Sequence, residues 1–295
     1  MTQGVIVKGV GGFYYVATAQ GQYECRARGK FRHQRITPSV GDWVKISVLD
    51  EEAKKGSLDE ILPRKNALLR PRVVNVDQAV IVFAAKSPDP NVDLLNRFLL
   101  LAEEQKLQIV LCINKIDLDA EGGYHALATL YRQVGYPVLP VSSQTGEGVE
   151  ALRQYLKGKI TVFAGPSGVG KSSLLNALKP ELHLTTGTIS KKIERGRHTT
   201  RHAELMPLDE QSYIVDSPGF TSLSLEQVRP ENLAELFREF RPYLGGCYYR
   251  TCRHLKEPDC AVKAHVGKEI PPERYARYEA LYQELTEFWE RKNKK

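Results

Sequence analysis

The 295-residue chain has only two tryptophans, two methionines and five cysteines, and no apolar run near the ~20 residues needed to cross a membrane. Five cysteines cannot all pair, and Met1-Thr-Gln-Gly4 runs straight into alternating apolar residues rather than a leader. A reducing, cytoplasmic setting is therefore expected, with free thiols and no membrane partner. Acidic residues are also in short supply, 35 against 42 lysines and arginines. The net charge of +7 suits an anionic partner, although solubility alone would also account for it. No internal repeat or low-complexity tract is visible. A hydrophobic content of 42% over this length can supply two or three cores.

What the chain does contain begins with a phosphate loop. Gly165-Pro166-Ser167-Gly168-Val169-Gly170-Lys171-Ser172 follows the apolar run Ile160–Ala164 and precedes Ser173–Leu178, which reads as a helix. In that strand–loop–helix context backbone N–H groups close round phosphates, Lys171 reaches the β- and γ-phosphates and Ser172 ligates Mg²⁺. Guanine rather than adenine is indicated by Asn114-Lys115-Ile116-Asp117, which ends the apolar run Gln108–Ile113. The Asp117 carboxylate can accept from both guanine N1–H and the exocyclic amine, a donor pair that adenine lacks. Ser142 and Ser143, in Pro140–Gly148, fit either a base-contacting loop or an ordinary strand-to-helix turn.

Asp216-Ser217-Pro218-Gly219 ends a further strand run, placing Asp216 near Mg²⁺ and the Gly219 N–H near the γ-phosphate. Phe220 stands where many GTPases carry a water-orienting Gln, so slow intrinsic hydrolysis is expected. The basic segment Arg195-Gly196-Arg197-His198-Thr199-Thr200-Arg201-His202 occupies the place of a first switch loop. By analogy Thr200, with Thr199 second, is the expected magnesium ligand. His198 is either a water-positioning group or an RNA-contacting one. The order of the motifs is permuted: base loop first, phosphate loop second, Asp-x-x-Gly last.

Residues 1–66 read as five short strands separated by Gly and Pro, an all-β barrel for which the OB-fold is the natural candidate. Arg26, Arg28, Lys30, Arg32 and Arg35 cluster near its middle and are candidates for RNA contact; the alternative is that they merely face water. Tyr14, Tyr15 and Phe31 either stack on bases or fill the barrel. Residues 67–222 alternate strands and helices as a parallel α/β sheet does, and 223–295 form a third, mainly α unit. In this unit Cys247, Cys252, His254 and Cys260 could close a tetrahedral zinc shell, or be ordinary reduced cysteines. Cys25 and Cys112 lie in strand patterns as core residues. From Pro271 onward, Tyr275, Tyr278, Leu281, Tyr282, Leu285, Phe288 and Trp289 mark an amphipathic helix that packs on its own unit, with one end able to meet the ribosome or the nucleotide domain.

The permuted order together with Gly196-Arg197-His198-Thr199-Thr200 resembles the bacterial ribosome small-subunit-dependent GTPase A family across nearly the whole chain. That resemblance implies an OB barrel, a circularly permuted GTPase domain and a structural zinc domain. It further implies Mg²⁺ with GTP, one zinc through Cys247, Cys252, His254 and Cys260, and a late-acting assembly factor. The implied partners are GTP/GDP, the small ribosomal subunit and its 16S rRNA, and the chain is expected to act as a monomer. A GTP-gated RNA-binding module, in which hydrolysis only resets binding, stays open beside the hydrolase. A P-loop enzyme that modifies RNA or a metabolite is disfavoured by Asp117 and by the lack of a further substrate constellation.

Overall fold

The computed structural model describes residues 1–29, 31, 36–69, 72–182, 184, 203–216 and 225–293, with Leu69 and Asp216 described at the backbone only. Six of the candidate site residues, Lys30, Arg32, Arg35, His198, Thr200 and Gly219, lie outside these, as do Thr199 and Phe220.

The first five strands, β1 (Thr2–Val10), β2 (Phe13–Thr18), β3 (Gly21–Ala27), β4 (Trp43–Asp50) and β5 (Lys55–Ile61), close into a barrel in the order β1-β2-β3-β5-β4. All neighbours are antiparallel except β3 and β5, and a bulge between Ile6 and Lys8 bends β1 for closure. Val5, Val16, Tyr23, Cys25, Val44, Ile46 and Leu58 point inward and are buried. Phe31 is also buried, and Tyr14 and Tyr15 pack partly against the core, so the aromatic residues mainly fill the barrel. Arg26 faces solvent, its guanidinium 4.5 Å from the centre of the Phe13 ring. Arg28 is committed to the protein: its Nε meets buried Asp59 at 2.7 Å.

A buried carboxylate fastens the barrel to the next segment of chain. Asp42 accepts from Arg64 Nε at 2.7 Å and Nη2 at 2.8 Å, and from the Ser39 N–H at 2.7 Å. This two-pronged ion pair fixes the exit of the chain toward the hairpin β6 (Ala67–Leu69) and β7 (Arg72–Val74).

Six strands then build the central sheet: β8 (Gln78–Ala84), β9 (Gln108–Asn114), β10 (Val138–Pro140), β11 (Ile160–Ala164), β12 (Glu204–Pro207) and β13 (Tyr213–Asp216), in the order β10-β9-β8-β11-β13-β12. All pairs are parallel except β12–β13. The antiparallel edge strand β12 is an addition to the wholly parallel sheet expected from the sequence. Strand residues alternate between two covers. Ala79, Ile81, Phe83, Ile109, Leu111 and Ile113 meet α1 (Val92–Glu104) and α2 (Tyr124–Gln133), whereas Val80, Val82, Val110, Cys112 and Phe163 meet α3 (Val149–Leu156) and α4 (Lys171–Leu178). Both faces being covered, the central strands read as unbroken apolar runs.

The C-terminal part comprises two 3₁₀ segments, Pro230–Leu236 and Arg238–Tyr243, the short α5 (Ala261–Ala264) and the 22-residue α6 (Pro272–Asn293). The α6 stripe does not stay within this part. Tyr278, Leu281 and Leu285 share one core with Phe237, Phe240 and also Leu100 and Leu101 of α1. In the middle of that contact Arg274 and Glu239, each 1% exposed, are joined at 2.5 Å. Arg274 also donates to Asn96 of α1, and its guanidinium lies 4.7 Å from the Phe237 ring centre. At the end of α1, Glu103 receives Arg238, Arg241 at 2.7 Å and the Tyr136 hydroxyl at 3.1 Å. Two buried charges held this way cost little together and much apart.

Arg274→Met should therefore destabilise the zinc-loaded chain by about 3–5 kcal/mol, because Glu239 is left buried without its cation. Adding Glu239→Leu should restore most of that loss. Denaturant unfolding of the two variants checks this, and a single variant losing less than about 1 kcal/mol would contradict it.

Candidate nucleotide and zinc sites

Strands β11, β8 and β9 are neighbours, and the crossovers leave them in opposite directions, β8 toward β9 and β10, β11 toward β13. Loops at the C-terminal ends of such strands converge on a crevice. Three segments meet there: Gly165–Ser172 after β11, Ser87 and its neighbours after β8, and Asn114–Asp117 after β9.

Asn114 is the stitch between them. It is fully buried, its Nδ2 donates to the Val169 carbonyl at 2.9 Å, and its Oδ1 accepts the Ser143 N–H at 3.1 Å. That reach depends on Gly170, at φ +90°, where a Cβ would stand 2.4 Å from Asn114 Nδ2. Gly165, at φ +144°, is forced equally, since a Cβ there would lie 2.0 Å from the Val82 carbonyl oxygen. Lys115, in the left-handed region at φ +62°, lays its ammonium across the Gly168 carbonyl at 2.7 Å and the Ser87 carbonyl.

Asp117 is exposed, and one of its oxygens accepts from Ser142 Oγ at 2.5 Å. Ser142 is fully buried and its Oγ accepts from the Thr145 N–H at 3.1 Å, so it aims the carboxylate from behind. Its place behind Asp117 has no signature in a lone Ser-Ser pair. Lys171 donates to the Gly165 and Pro166 carbonyls at 2.6 and 2.7 Å, and burial pushes its pKa down to about 8. An anion in the loop would reverse that shift. Ser172, buried in the first turn of α4, sits beside Ser173, with Pro166, Ser167, Gly168 and Val169 forming the loop before the helix. The backbone of Asp216 ends β13, paired with Glu204, next to β11.

The second site lies in the C-terminal part. The ligand atoms of Cys247, Cys252, His254 and Cys260 all fall within 4.8 Å of one another. Cys247 Sγ is 3.8 Å from Cys260 Sγ and 3.5 Å from His254 Nδ1, and His254 Nδ1 is 3.4 Å from Cys260 Sγ. A tetrahedron with Zn–S near 2.3 Å has edges of about 3.8 Å, so these spacings fit one zinc ion with no open position. Burial pushes the Cys252 thiol up to about 12, raises Cys260 and lowers His254. Three thiolates become tolerable there only with a cation among them. Around the cluster, Tyr275 and Tyr278 hydroxyls donate to the His254 and Arg253 carbonyls, both at 2.7 Å.

Known proteins share this fold. Residues 61–226 match the RsgA GTPase model and residues 3–57 the RsgA N-terminal domain. The chain belongs to the RsgA GTPase family. It is accordingly a GTPase, and the family implies Mg²⁺ with GTP. A protein named small ribosomal subunit biogenesis GTPase RsgA from Alkaliphilus metalliredigens is 46% identical, covering 97% of this chain and 98% of its own. Its counterpart from Caldanaerobacter subterraneus subsp. tengcongensis is 48% identical over 99% and 98%. The crystal structure of YjeQ from Thermotoga maritima superposes with a TM-score of 0.84 at 38% identity, over 97% and 98% of the chains. That of YloQ, described as a circularly permuted GTPase, does so at 0.83 and 40%, over 97% and 96%. The permuted motif order is thus a property of this fold. Among the described residues no helix is long and apolar enough to cross a membrane.

Purified without chelator, the chain should carry one zinc by elemental analysis. Cys252→Ser should lose it and speed amide exchange throughout 225–293. Zinc-free wild-type protein with unchanged exchange would contradict the assignment.

Proposed function

We propose that this GTPase binds the small ribosomal subunit, acts late in its maturation in the cytoplasm as a monomer, and hydrolyses GTP faster when so bound. The observation that carries the reading is the Asp117 carboxylate, exposed yet fixed by Ser142, on the loop that Asn114 ties to the phosphate loop. Near-full-length similarity to relatives named for small-subunit biogenesis supports the choice of partner.

In this reading Asp117 takes the two guanine donors, while Asn114, Lys115, Ser142 and Ser143 hold the loops around the base. The loop Gly165 through Gly170, all but Pro166, can offer backbone N–H groups to the phosphates, Lys171 neutralises the β- and γ-oxygens, and Ser173 continues the helix whose N-terminus faces them. Ser172 and Thr200 would hold Mg²⁺, which would neutralise phosphate charge. Asp216 and Gly219 complete the γ-phosphate side, and His198 positions the attacking water. The barrel contributes RNA contact through Arg26, with Lys30, Arg32 and Arg35 as further candidates. Arg28 takes a smaller share because of Asp59. Hydrolysis that is required for departure from the subunit distinguishes this enzyme from a module in which it only resets binding.

Asp117→Asn sets an amide against guanine's own donors and should weaken GTP by about 2–4 kcal/mol, on the order of 30- to 900-fold, with the fold intact. Nucleotide titration checks it. Purified small subunits should raise GTP turnover severalfold or more, and His198→Ala should lose most of that gain at unchanged GTP affinity. Turnover indifferent to subunits would overturn the proposal.

A further inference from the structure

Cys247 and Cys252 both belong to the four-ligand cluster, and the four residues between them include the most exposed aromatic side chain of the described residues. Tyr248 is 77% exposed and Tyr249 is 45% exposed. Hydrophobic packing does not account for a tyrosine with three quarters of its surface in water. Both rings are nevertheless ordered against one another, edge to face, with centroids 5.0 Å apart at 82°. The Tyr248 N–H is pinned to the Asp259 carbonyl at 3.2 Å. A preorganised ring of this kind offers its free face at little entropic cost.

The segment 247–260 carries Arg250, Arg253 and Lys256 against Glu257 and Asp259. Arg250 and Lys256 are exposed, and neither has an acidic partner among the described residues, unlike Arg28, Arg64 and Arg274. The nearest acids offset them only in part. Glu257 spends its carboxylate on the Arg253 and Leu255 N–H groups at 2.7 and 2.9 Å, which hold its pKa below the usual range, and Asp259 remains exposed. An exposed aromatic face with an unpaired arginine two residues along the chain suits a nucleobase attached to its phosphate better than an aliphatic or acidic protein surface.

We propose that Tyr248, braced by Tyr249 and followed in the chain by the exposed Arg250, is a stacking platform for an unpaired RNA base. The proposal deepens the ribosomal reading and rests on it for its biological target. It does not rest on it for its chemistry. The platform takes single-stranded segments, because a base inside a duplex has no free face. It tolerates different bases, because each has a π-face to offer. Zinc matters to it only through rigidity.

The test uses the full-length, zinc-loaded chain and a 12-nucleotide oligoadenylate carrying one 2-aminopurine, titrated by anisotropy and by quenching, beside a duplex of equal length. Wild type should prefer the single strand and quench the probe. Tyr248→Ala should weaken binding about 5- to 150-fold and abolish quenching, with Tyr248→Phe retaining both. Arg250→Ala should lower the slope of log affinity against log salt by about 0.7. Since Tyr248 is mostly in solvent, its loss should leave zinc content unchanged. Equal binding and quenching by wild type and Tyr248→Ala would overturn the proposal, as would no binding of the oligonucleotide by wild type. Normal oligonucleotide binding by Tyr248→Ala with lost affinity for purified small subunits would overturn it in favour of a protein contact. Wild type that binds the oligonucleotide as expected but ignores small subunits would support the platform and remove the ribosomal reading instead.

Discussion

The nucleotide site depends on one buried amide. Asn114 spends its donor on the Val169 carbonyl and its acceptor on the Ser143 N–H, joining segments that lie 55 and 29 residues away in the chain. Each is a modest bond, worth roughly 1 kcal/mol net, but an unsatisfied buried amide costs more than that, so the three loops stand or fall together. The absence of a side chain at Gly170 is part of the same constraint. Because the loops are joined through space rather than along the chain, their order in sequence is free to change. Permutation is then a matter of where the chain is cut.

The same sheet explains how the flanking parts are placed. Helix α1 covers β8 and β9 with one face and gives Asn96, Leu100, Leu101 and Glu103 to the C-terminal part with the other. The region that holds the cysteine–histidine cluster is thus packed onto the GTPase sheet through α1 and α6, and the barrel meets the sheet's edge strand β12 through Lys8 and Glu204, 3.0 Å apart.

Legibility in the sequence followed the range of the interactions. The phosphate loop and Asn114–Asp117 were readable because their backbone geometry demands particular residues at fixed local spacing, Gly165 and Gly170 above all. The four zinc ligands were readable for a related reason, falling within fourteen positions. Arg274 with Glu239, 35 residues apart, and with Asn96, 178 apart, had no local signature; in sequence Arg274 is one more surface cation on a helix. Arg28 illustrates the converse, an arginine that looks free for RNA until Asp59 is seen beside it. The α6 stripe showed that a face was buried and that one end could meet the nucleotide domain, but not that α1 is the element it meets. Strand β12 is too short, at four residues, to announce its direction.

Amide hydrogen exchange across Gly165–Gly170 in Asn114→Ala, in the absence of nucleotide, tests most directly whether the base loop holds the phosphate loop in shape. If Asn114 is the tie, exchange there should run about 5- to 150-fold faster than in wild type, the equivalent of ~1–3 kcal/mol of lost protection, with β11 itself unaffected. Exchange across the loop at the wild-type rate would contradict that role.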